Sequence, residues 1–292
     1  PEYEKKLQWL CENINADRDF LKEELKHFPS IWFGFEQAIL NLEHGDDLYF
    51  PSDFTAGKSF IKINGLIWMG DSGFLEEQIQ EKLDTGFDCL KLKIGTDWNS
   101  EKKILHDLRK KFPADQLELR VDANGGFSFN EAKTVLDELH ALQIHSIEQP
   151  IKAGKWENMH LLCSGTSTPI ALDEELIGIN RRDRKIELLE TIRPQYIILK
   201  PSLHGGISGS EEWMELAAER GIGSWVTSAL ESNIGLNAIA QWCATLQPAL
   251  PQGLGTGLLF TDNIDYPLHI EGDCLWFHPE EQEPDLLNWL KQ

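Results

Sequence analysis

From residue 60 onward, short apolar runs alternate with amphipathic helical segments, and this alternation limits the fold more than any other feature of the sequence. Strands that are separated by helices of about 10–15 residues form βαβ units with a parallel sheet. The number of these units favours a closed (β/α)₇β barrel, similar to a TIM barrel, over an open doubly wound sheet. The predicted strands are residues 61–69, 89–95, 117–121, 146–148, 169–172, 196–199, 224–227 and 252–255.

The first 59 residues have a different character and are predicted to be largely helical. Residues 1–28 are highly charged, and after Pro29 a second helix carries four apolar residues on one face. These are Trp32, Phe35, Ile39 and Leu42. We interpret residues 1–59 as the remainder of a small α+β domain and residues 60–265 as the barrel. The last residues, 266–292, are expected to pack back on either of them. The chain begins at Pro1 without a methionine, as expected of a trimmed or partial chain.

The charge balance argues against nucleic acids and membranes as partners. The 292 residues carry a formal net charge of −21, so repulsion opposes non-specific binding to nucleic acid or to an anionic membrane. No apolar stretch approaches the roughly 18–20 residues that span a bilayer, and the polar amino end lacks a signal-peptide pattern. The five cysteines are scattered and form no Cys-x-x-Cys pair, which is typical of free thiols in a reducing cytoplasm. We therefore predict a cytoplasmic protein.

Charged residues end five consecutive predicted strands, at intervals of 25 to 29 residues. They are Lys93, Asp122, Glu148, Asp173 and Lys200. A single carboxylate at such a position is consistent with a helix N-cap or a surface acid, but five charged strand ends in a row indicate a site. Active sites of barrels lie at this carboxyl face. Three converging carboxylates repel one another unless a cation holds them, and oxygen ligands on rigid strands suit Mg²⁺.

Two lysines on the second predicted strand form a candidate acid/base group. Lys91 and Lys93 are two residues apart and therefore point to the same face of the strand. Neighbouring ammonium groups that lose hydration favour the neutral amine, which can act as a general base. Taken alone, Lys-x-Lys is also consistent with a solvated strand end. With Lys200 on the other side, a small carboxylate substrate would lie between amines. Glu174 follows Asp173 directly and fits either a role behind the ligands or exposure to solvent.

Several segments together resemble the enolase superfamily, and more narrowly its muconate-lactonizing subgroup. The segments are residues 91–93, 120–124, 147–150, 171–174 and 199–201. Residues 200–206, 227–236 and 253–256 resemble the o-succinylbenzoate synthase family within that subgroup. The resemblance covers roughly residues 60–265. It implies a barrel whose amino-terminal α+β domain caps the site and is incomplete here.

The resemblance also implies roles for individual residues. The metal ligands would be Asp122, Glu148 and Asp173, with Mg²⁺ as the cofactor and Mn²⁺ as its substitute. Lys93 would remove the proton α to a carboxylate, Lys91 would keep that amine ready to accept it, and Lys200 would act as a cation across the site. Substrate contacts would come from Asn124, Ser228, Gly255 and Thr256. Glu174 and Glu231 would lie behind the residues that contact the metal or the substrate, and would support them.

The implied reaction is a dehydration that forms o-succinylbenzoate in menaquinone synthesis. A first alternative, an N-acylamino acid racemase or dipeptide epimerase, would use Lys93 and Lys200 as opposed acid/base groups. Epimerases of this superfamily typically carry Asp-x-Asp on the eighth strand, where this chain has Gly253-Leu254-Gly255-Thr256. A second alternative is a barrel that serves as a non-catalytic binding protein. The intact set of three carboxylates and three lysines argues against it. A metal hydrolase is disfavoured because no His-x-His pair occurs.

Overall fold

A curled sheet of seven parallel strands forms the centre of the molecule in the computed structural model, which describes residues 2–45, 48–257, 260 and 267–280. The strands of the described residues are Ile61–Lys62 (β1), Gly65–Ile67 (β2), Cys89–Lys93 (β3), Glu118–Asp122 (β4), Ser146–Glu148 (β5), Ile170–Leu172 (β6), Tyr196–Leu199 (β7), Gly223–Val226 (β8), Leu268–Glu271 (β9) and Cys274–Phe277 (β10). Strands β2 to β8 follow one another in chain order, and each neighbouring pair is parallel.

Helices connect these strands, as βαβ units require. The helices of the described residues are Glu2–Glu12 (α1), Arg18–Leu25 (α2), Pro29–His44 (α3), Ser72–Asp84 (α4), Trp98–Lys111 (α5), Phe129–Ala141 (α6), Trp156–Gly165 (α7), Arg182–Ile192 (α8), Gly206–Ala218 (α9) and Asn233–Thr245 (α10). Helix α6 begins with a capping box, in which Ser128 and Glu131 bond each other's backbone N–H groups. None of the helices in these ranges has both the length and the apolar character needed to cross a bilayer.

The segment at Gln252 and Gly253 closes the sheet into a ring. The Gly253 N–H donates to the Val226 carbonyl at 2.8 Å on one side, and the Gln252 N–H donates to the Lys62 carbonyl at 2.8 Å on the other. Gln252 forms a parallel bridge with Ile63. The predicted eighth strand therefore stands at the right place in the barrel, but it is reduced to two bridges.

Large side chains fill the barrel below the strand ends. Ala171, Ile198 and Trp225 form a buried cluster. The guanidinium of Arg120 lies 4.6 Å from the centroid of the Trp225 ring, and its Nε donates to Glu118 at 2.7 Å. Because Arg120 precedes Asp122 by two residues on β4, both point into the barrel at different depths. The interior is therefore packed, and the charged strand ends face one open side.

The predicted first strand, 61–69, is wrong as a single strand. Its first residues form β1, which pairs antiparallel with β10, while β2 belongs to the barrel. Leu42 was predicted on the packed face of α3, but 81% of its surface is exposed. Trp32 and Phe35 are buried against α1 and α2 as expected, and this cluster ends at the half-buried Ile39.

The domain division stays a prediction. In residues 2–45 and 48–59 the structure has helices and no strand, so the described part of the predicted α+β domain is helical. The three-stranded sheet of order β1-β10-β9 instead joins the start of the barrel region to residues 268–277. The boundary predicted at residue 265 lies outside the described residues, as do 281–292.

Candidate active site

The parallel register brings the five predicted charged residues to one end of the barrel. Lys93 is paired with Asp122 across β3 and β4, and Asp122 with Glu148 across β4 and β5. Asp173 and Lys200 directly follow the ends of β6 and β7. The three carboxylates are fully or almost fully buried. In a ring of seven strands and one closing segment, β3 and β7 lie on opposite sides, so the two terminal lysines face each other across the site.

Each of the three lysines binds a carboxylate. Lys93 Nζ donates to Asp122 Oδ2 at 2.7 Å, and Lys91 Nζ donates to Glu148 Oε2 at 2.7 Å. Lys91 Nζ also lies 3.3 Å from Asp122 Oδ2. On the opposite side, Lys200 Nζ donates to Asp173 Oδ2. The buried charges are therefore paired in the way that a low-dielectric site requires.

Two oxygens of this set have no hydrogen-bond partner among the described residues. They are Glu148 Oε1 and Asp173 Oδ1, and both are buried. Such an oxygen is expensive to bury and would be satisfied by a cation. Three carboxylates without nitrogen or sulfur donors fit a hard divalent cation such as Mg²⁺ or Mn²⁺. Within the described residues, however, no three potential ligands are arranged as a preformed metal site. The ligand set predicted from the sequence stays a prediction.

The carboxylates and lysines shift one another's proton affinity in different directions. Burial would raise the pKa of Asp122, but Lys91 and Lys93 outweigh it and the pKa is lowered. Burial and the neighbouring Asp122 raise the pKa of Glu148 well above its usual range. Burial alone would lower the pKa of Lys91, but Glu148 and Asp122 raise it. For Lys91 itself, the expectation that neighbouring ammonium groups lower the pKa is therefore wrong, because the carboxylates dominate. The role of Lys91 in preparing the Lys93 amine stays a prediction.

A cavity of about 300 Å³ opens above the charged strand ends. Its wall is formed by Asn64, Leu66, Trp68, Lys91, Lys93, Asp122, Glu148, Lys200, Leu203, Thr227, Ser228, Ala229, Leu230, Gly253, Gly255 and Thr256. Of the predicted substrate contacts, Ser228, Gly255 and Thr256 line this cavity, but Asn124 does not. A cavity of this size, lined by both charged and apolar side chains, suits a small carboxylate.

Asn124 instead contacts Lys93, the predicted base. Its Oδ1 accepts from Lys93 Nζ at 2.7 Å, and its Nδ2 donates to Glu174 Oε1 at 2.9 Å. Its own N–H donates to Asp122 Oδ1 at 3.1 Å. Burial and Asp173 raise the pKa of Glu174. Asn124 and Glu174 are thus brought to the edge of the site, where they hold Lys93 and Asp122 in position.

Glu231 lies behind the cavity wall rather than beside the carboxylates. Its carboxylate accepts from the Ala229 N–H at 2.8 Å and from the Ser202 hydroxyl. It thereby ties the loop that follows β8 to the loop that follows Lys200. This agrees with the predicted supporting position, although what it supports is the substrate side of the cavity.

Sequence reasoning missed several residues of the site. Leu66 on β2 and the residues that flank this strand, Asn64 and Trp68, alternate along the chain, and all three line the cavity. Their spacing of two was visible in the sequence, but nothing showed which face was inward. Gln149 was also missed. Its Oε1 accepts from the Asp173 N–H at 3.2 Å and from the Glu175 N–H at 3.3 Å, so it holds the ends of two neighbouring strands.

Comparison with known proteins agrees with this geometry. Residues 75–279 match the family described as Enolase C-terminal domain-like, and the chain belongs to that family. The chain is 52% identical over 250 residues to o-succinylbenzoate synthase of Desulfotalea psychrophila. The aligned residues cover 85% of this chain and 68% of that protein.

Solved structures and more distant relatives extend the comparison. The crystal structure of MenC from Desulfotalea psychrophila superposes with a TM-score of 0.82 at 46% identity, covering 94% of this chain and 80% of that one. The L-Ala-D/L-Glu epimerase of Bacillus subtilis is 30% identical over 166 residues, which cover 56% of this chain and 44% of that protein. The fold is therefore that of the superfamily, and relatives with two kinds of activity share its barrel.

Proposed function

We propose that this protein catalyses the dehydration that forms o-succinylbenzoate, as the relative at 52% identity is named to do. The observation that carries the proposal is the set of charged strand ends around one cavity, with Lys93 and Lys200 on opposite sides. Proteins that use amines to take a proton from carbon need this kind of buried, paired arrangement.

The chemistry requires several charges because a proton α to a carboxylate is very weakly acidic. A divalent cation on Asp122, Glu148 and Asp173 would stabilise the negative charge that develops on the substrate carboxylate. Lys93 Nζ accepts the α-proton as the carbon–hydrogen bond breaks. It then returns that proton to the departing hydroxyl as the carbon–oxygen bond breaks, so that water leaves and the ring becomes aromatic. Lys200, on the opposite side, stabilises the intermediate as a cation.

The surrounding residues prepare these groups. Asn124 and Asp122 hold the Lys93 Nζ between them, each with an oxygen at 2.7 Å from that nitrogen. Lys91 holds Glu148. The proposal includes Mg²⁺ as the particular cation, a cytoplasmic location, a place in menaquinone synthesis, and no nucleic acid or membrane partner.

A racemase or epimerase activity is the second candidate, and the opposed lysines favour it. Proton exchange on both faces of a carbon needs two acid/base groups, and Lys93 and Lys200 are placed for that. The segment from Gly253 to Thr256, without an Asp-x-Asp pair, gives the ammonium group of a dipeptide no carboxylate partner there. This absence favours the dehydration.

The deciding experiment measures both reactions on one preparation. Loss of the ultraviolet absorbance of a succinyl-substituted hydroxycyclohexadiene carboxylate reports the dehydration. Uptake of deuterium at the α-carbon of an N-succinylamino acid in D₂O reports proton exchange. We expect the dehydration to be far faster, and Lys93→Ala, which lacks the base, to lose both. Exchange without dehydration would transfer the assignment to the racemase.

If both reactions occur, Lys200→Arg separates them. Arginine retains the positive charge but does not readily exchange its proton. Exchange should then be lost, while part of the dehydration remains.

A further inference from the structure

A buried histidine bonds the backbone of Lys200, the lysine that faces Lys93 across the cavity. Only 2% of the surface of His204 is exposed. Its Nδ1 accepts from the Lys200 N–H at 3.0 Å, and its own N–H donates to the Lys200 carbonyl at 3.0 Å. A single residue therefore bonds both backbone polar groups of Lys200.

The Lys200 N–H needs such a partner because the ladder on its side of β7 ends before it. Backbone groups alternate in direction along a strand, and the Leu199 carbonyl accepts from the N–H of Thr227, which follows β8. The backbone groups of Lys200 therefore point towards β6. The last residue of β7 that is paired with β6 is Ile197. His204 thus supplies the acceptor that β6 supplies earlier along β7.

The imidazole of His204 is in the form that accepts this hydrogen bond. A backbone N–H only donates, so Nδ1 is the unprotonated nitrogen and Nε2 carries the proton. Burial lowers the pKa of His204 to about 3, so the ring is neutral at neutral pH. Nε2 has no hydrogen-bond partner among the described residues. Within that part of the chain, the bond to Lys200 is therefore the one hydrogen bond of this buried side chain.

The backbone of Lys200 determines where its amine lies. Lys200 follows the last residue of β7 and begins the loop that leads to α9, so the strand itself no longer holds it. Its side chain is 16% exposed, and Nζ donates to Asp173 Oδ2 at the edge of the cavity. A shift of about 1 Å in a group that acts on the substrate can lower a rate by about 10²-fold.

We infer that His204 is a positioning residue for the reaction: it fixes the backbone of Lys200 and thereby holds the Lys200 amine where negative charge develops on the substrate. The inference rests on the proposed function, in which Lys200 is the cation opposite Lys93. His204 lies outside the cavity wall described above, so it acts through Lys200 and does not touch the substrate.

The test compares two variants whose new side chains have nearly the same size. His204→Leu removes the acceptor, whereas His204→Asn keeps an oxygen acceptor at the position of Nδ1. Steady-state dehydration in the presence of Mg²⁺ gives kcat and KM for each. We expect His204→Leu to lower kcat by at least about tenfold with KM nearly unchanged, because Lys200 acts on charge that develops in the transition state. His204→Asn should retain most of the parental kcat.

Gln195→Leu is the matched control. Gln195 Oε1 accepts from the Ile170 N–H at 2.9 Å, at the opposite end of β6 and β7 from the site. The control removes the same kind of bond and should leave kcat near the parental value. A second comparison repeats His204→Leu in a Lys200→Ala protein, in single turnover with enzyme in excess. There we expect no further fall in rate, because the effect of His204 passes through Lys200.

The outcomes separate this inference from the proposed function. A parental kcat in His204→Leu overturns the inference and leaves the proposed function standing. Equal losses in His204→Leu and His204→Asn mean that the acceptor is not what matters, and also overturn it. A similar loss in Gln195→Leu, or a further fall in the Lys200→Ala protein, assigns His204 a general structural role and overturns it. If His204→Leu does not fold, His204→Met should show the same loss of kcat. A parent that does not dehydrate its substrate removes the proposed function, and with it the role of Lys200.

Discussion

Replacing Lys91 with methionine should destabilise the protein more than replacing any exposed lysine. Lys91 Nζ bonds Glu148 Oε2 at 2.7 Å, and both side chains are buried. Removing one partner of a buried ion pair leaves the other charge uncompensated, which costs about 3–5 kcal/mol. The pKa of Glu148 is already raised by burial and by Asp122. Glu148 can therefore take up a proton when Lys91 is lost, so we expect the lower end of that range.

The assay is urea denaturation at neutral pH with a chelator, which gives the free energy of unfolding. Lys62→Met is the matched control. Lys62 is only partly buried and pairs with Asp88 and Asp273 near the surface, so its loss should cost about 1 kcal/mol or less. Adding Glu148→Gln to Lys91→Met should restore part of the stability, because the stranded carboxylate is gone. The reasoning is refuted if Lys91→Met unfolds at the same urea concentration as the parent.

Two further predictions concern activity. Lys93→Ala should lower the dehydration rate by at least about 10²–10⁴-fold. It should change the stability less than Lys91→Met does, since Lys93 lies nearer the opening of the cavity. Near-parental rates would exclude Lys93 as the base. Excess chelator should abolish turnover and added Mg²⁺ should restore it, because the predicted ligands are three buried carboxylates, two of which have an oxygen without a partner among the described residues. Full turnover after exhaustive dialysis against chelator would contradict the metal site.

The order of the strands was predictable because apolar runs and their charged ends recur at a nearly constant interval. The ends of β5 and β7 agree with the prediction to the residue. The division of residues 61–69 was not predictable. It depends on pairing between Ile61 and Leu275, which is far away in the chain, and apolar alternation reports a strand but not its partner.

The charged residues of the site were predictable, but which charges lie nearest to each of them was not. The sequence places Lys91 beside Lys93 and so suggests repulsion, yet the nearest groups to Lys91 are carboxylates from two other strands. Asn64 illustrates a second limit. An asparagine before a strand is ordinary in a sequence, and only the folded barrel shows that this residue lines the cavity and that its buried amide oxygen has no hydrogen-bond partner among the described residues.

One buried carboxylate contributes to the contact between the helical amino-terminal segment and the barrel. Glu36 on α3 accepts from the Ile207 N–H at 2.6 Å and from the Ser208 N–H at 3.1 Å, both in the first turn of α9. A Cβ atom on Gly206 would lie 2.0 Å from Glu36 Oε2, so only glycine allows this approach. Helix α9 follows the loop that starts at Lys200, and Glu36 thus joins the amino-terminal helices to the helix that follows this loop.

Glu36→Ala should therefore cost about 2–4 kcal/mol of unfolding free energy, since two buried N–H donors lose a charged acceptor. Glu36→Gln keeps one acceptor and should cost less.

Burial raises the pKa of the Glu36 carboxyl above its ordinary value of 4.5, against the opposing effect of the bonds from Ser208 and Ile207. The folded state then holds this proton more tightly than the unfolded state, so the contribution of Glu36 to stability falls as pH rises through the raised pKa. The stability advantage of the parent over Glu36→Gln should accordingly be larger at about pH 5 than at about pH 8, measured by urea denaturation. Glu43→Gln, at an exposed position on the same helix, should show no such trend. An advantage that grows with pH would mean that the bonds to α9 outweigh burial, and the sign of the argument would be wrong.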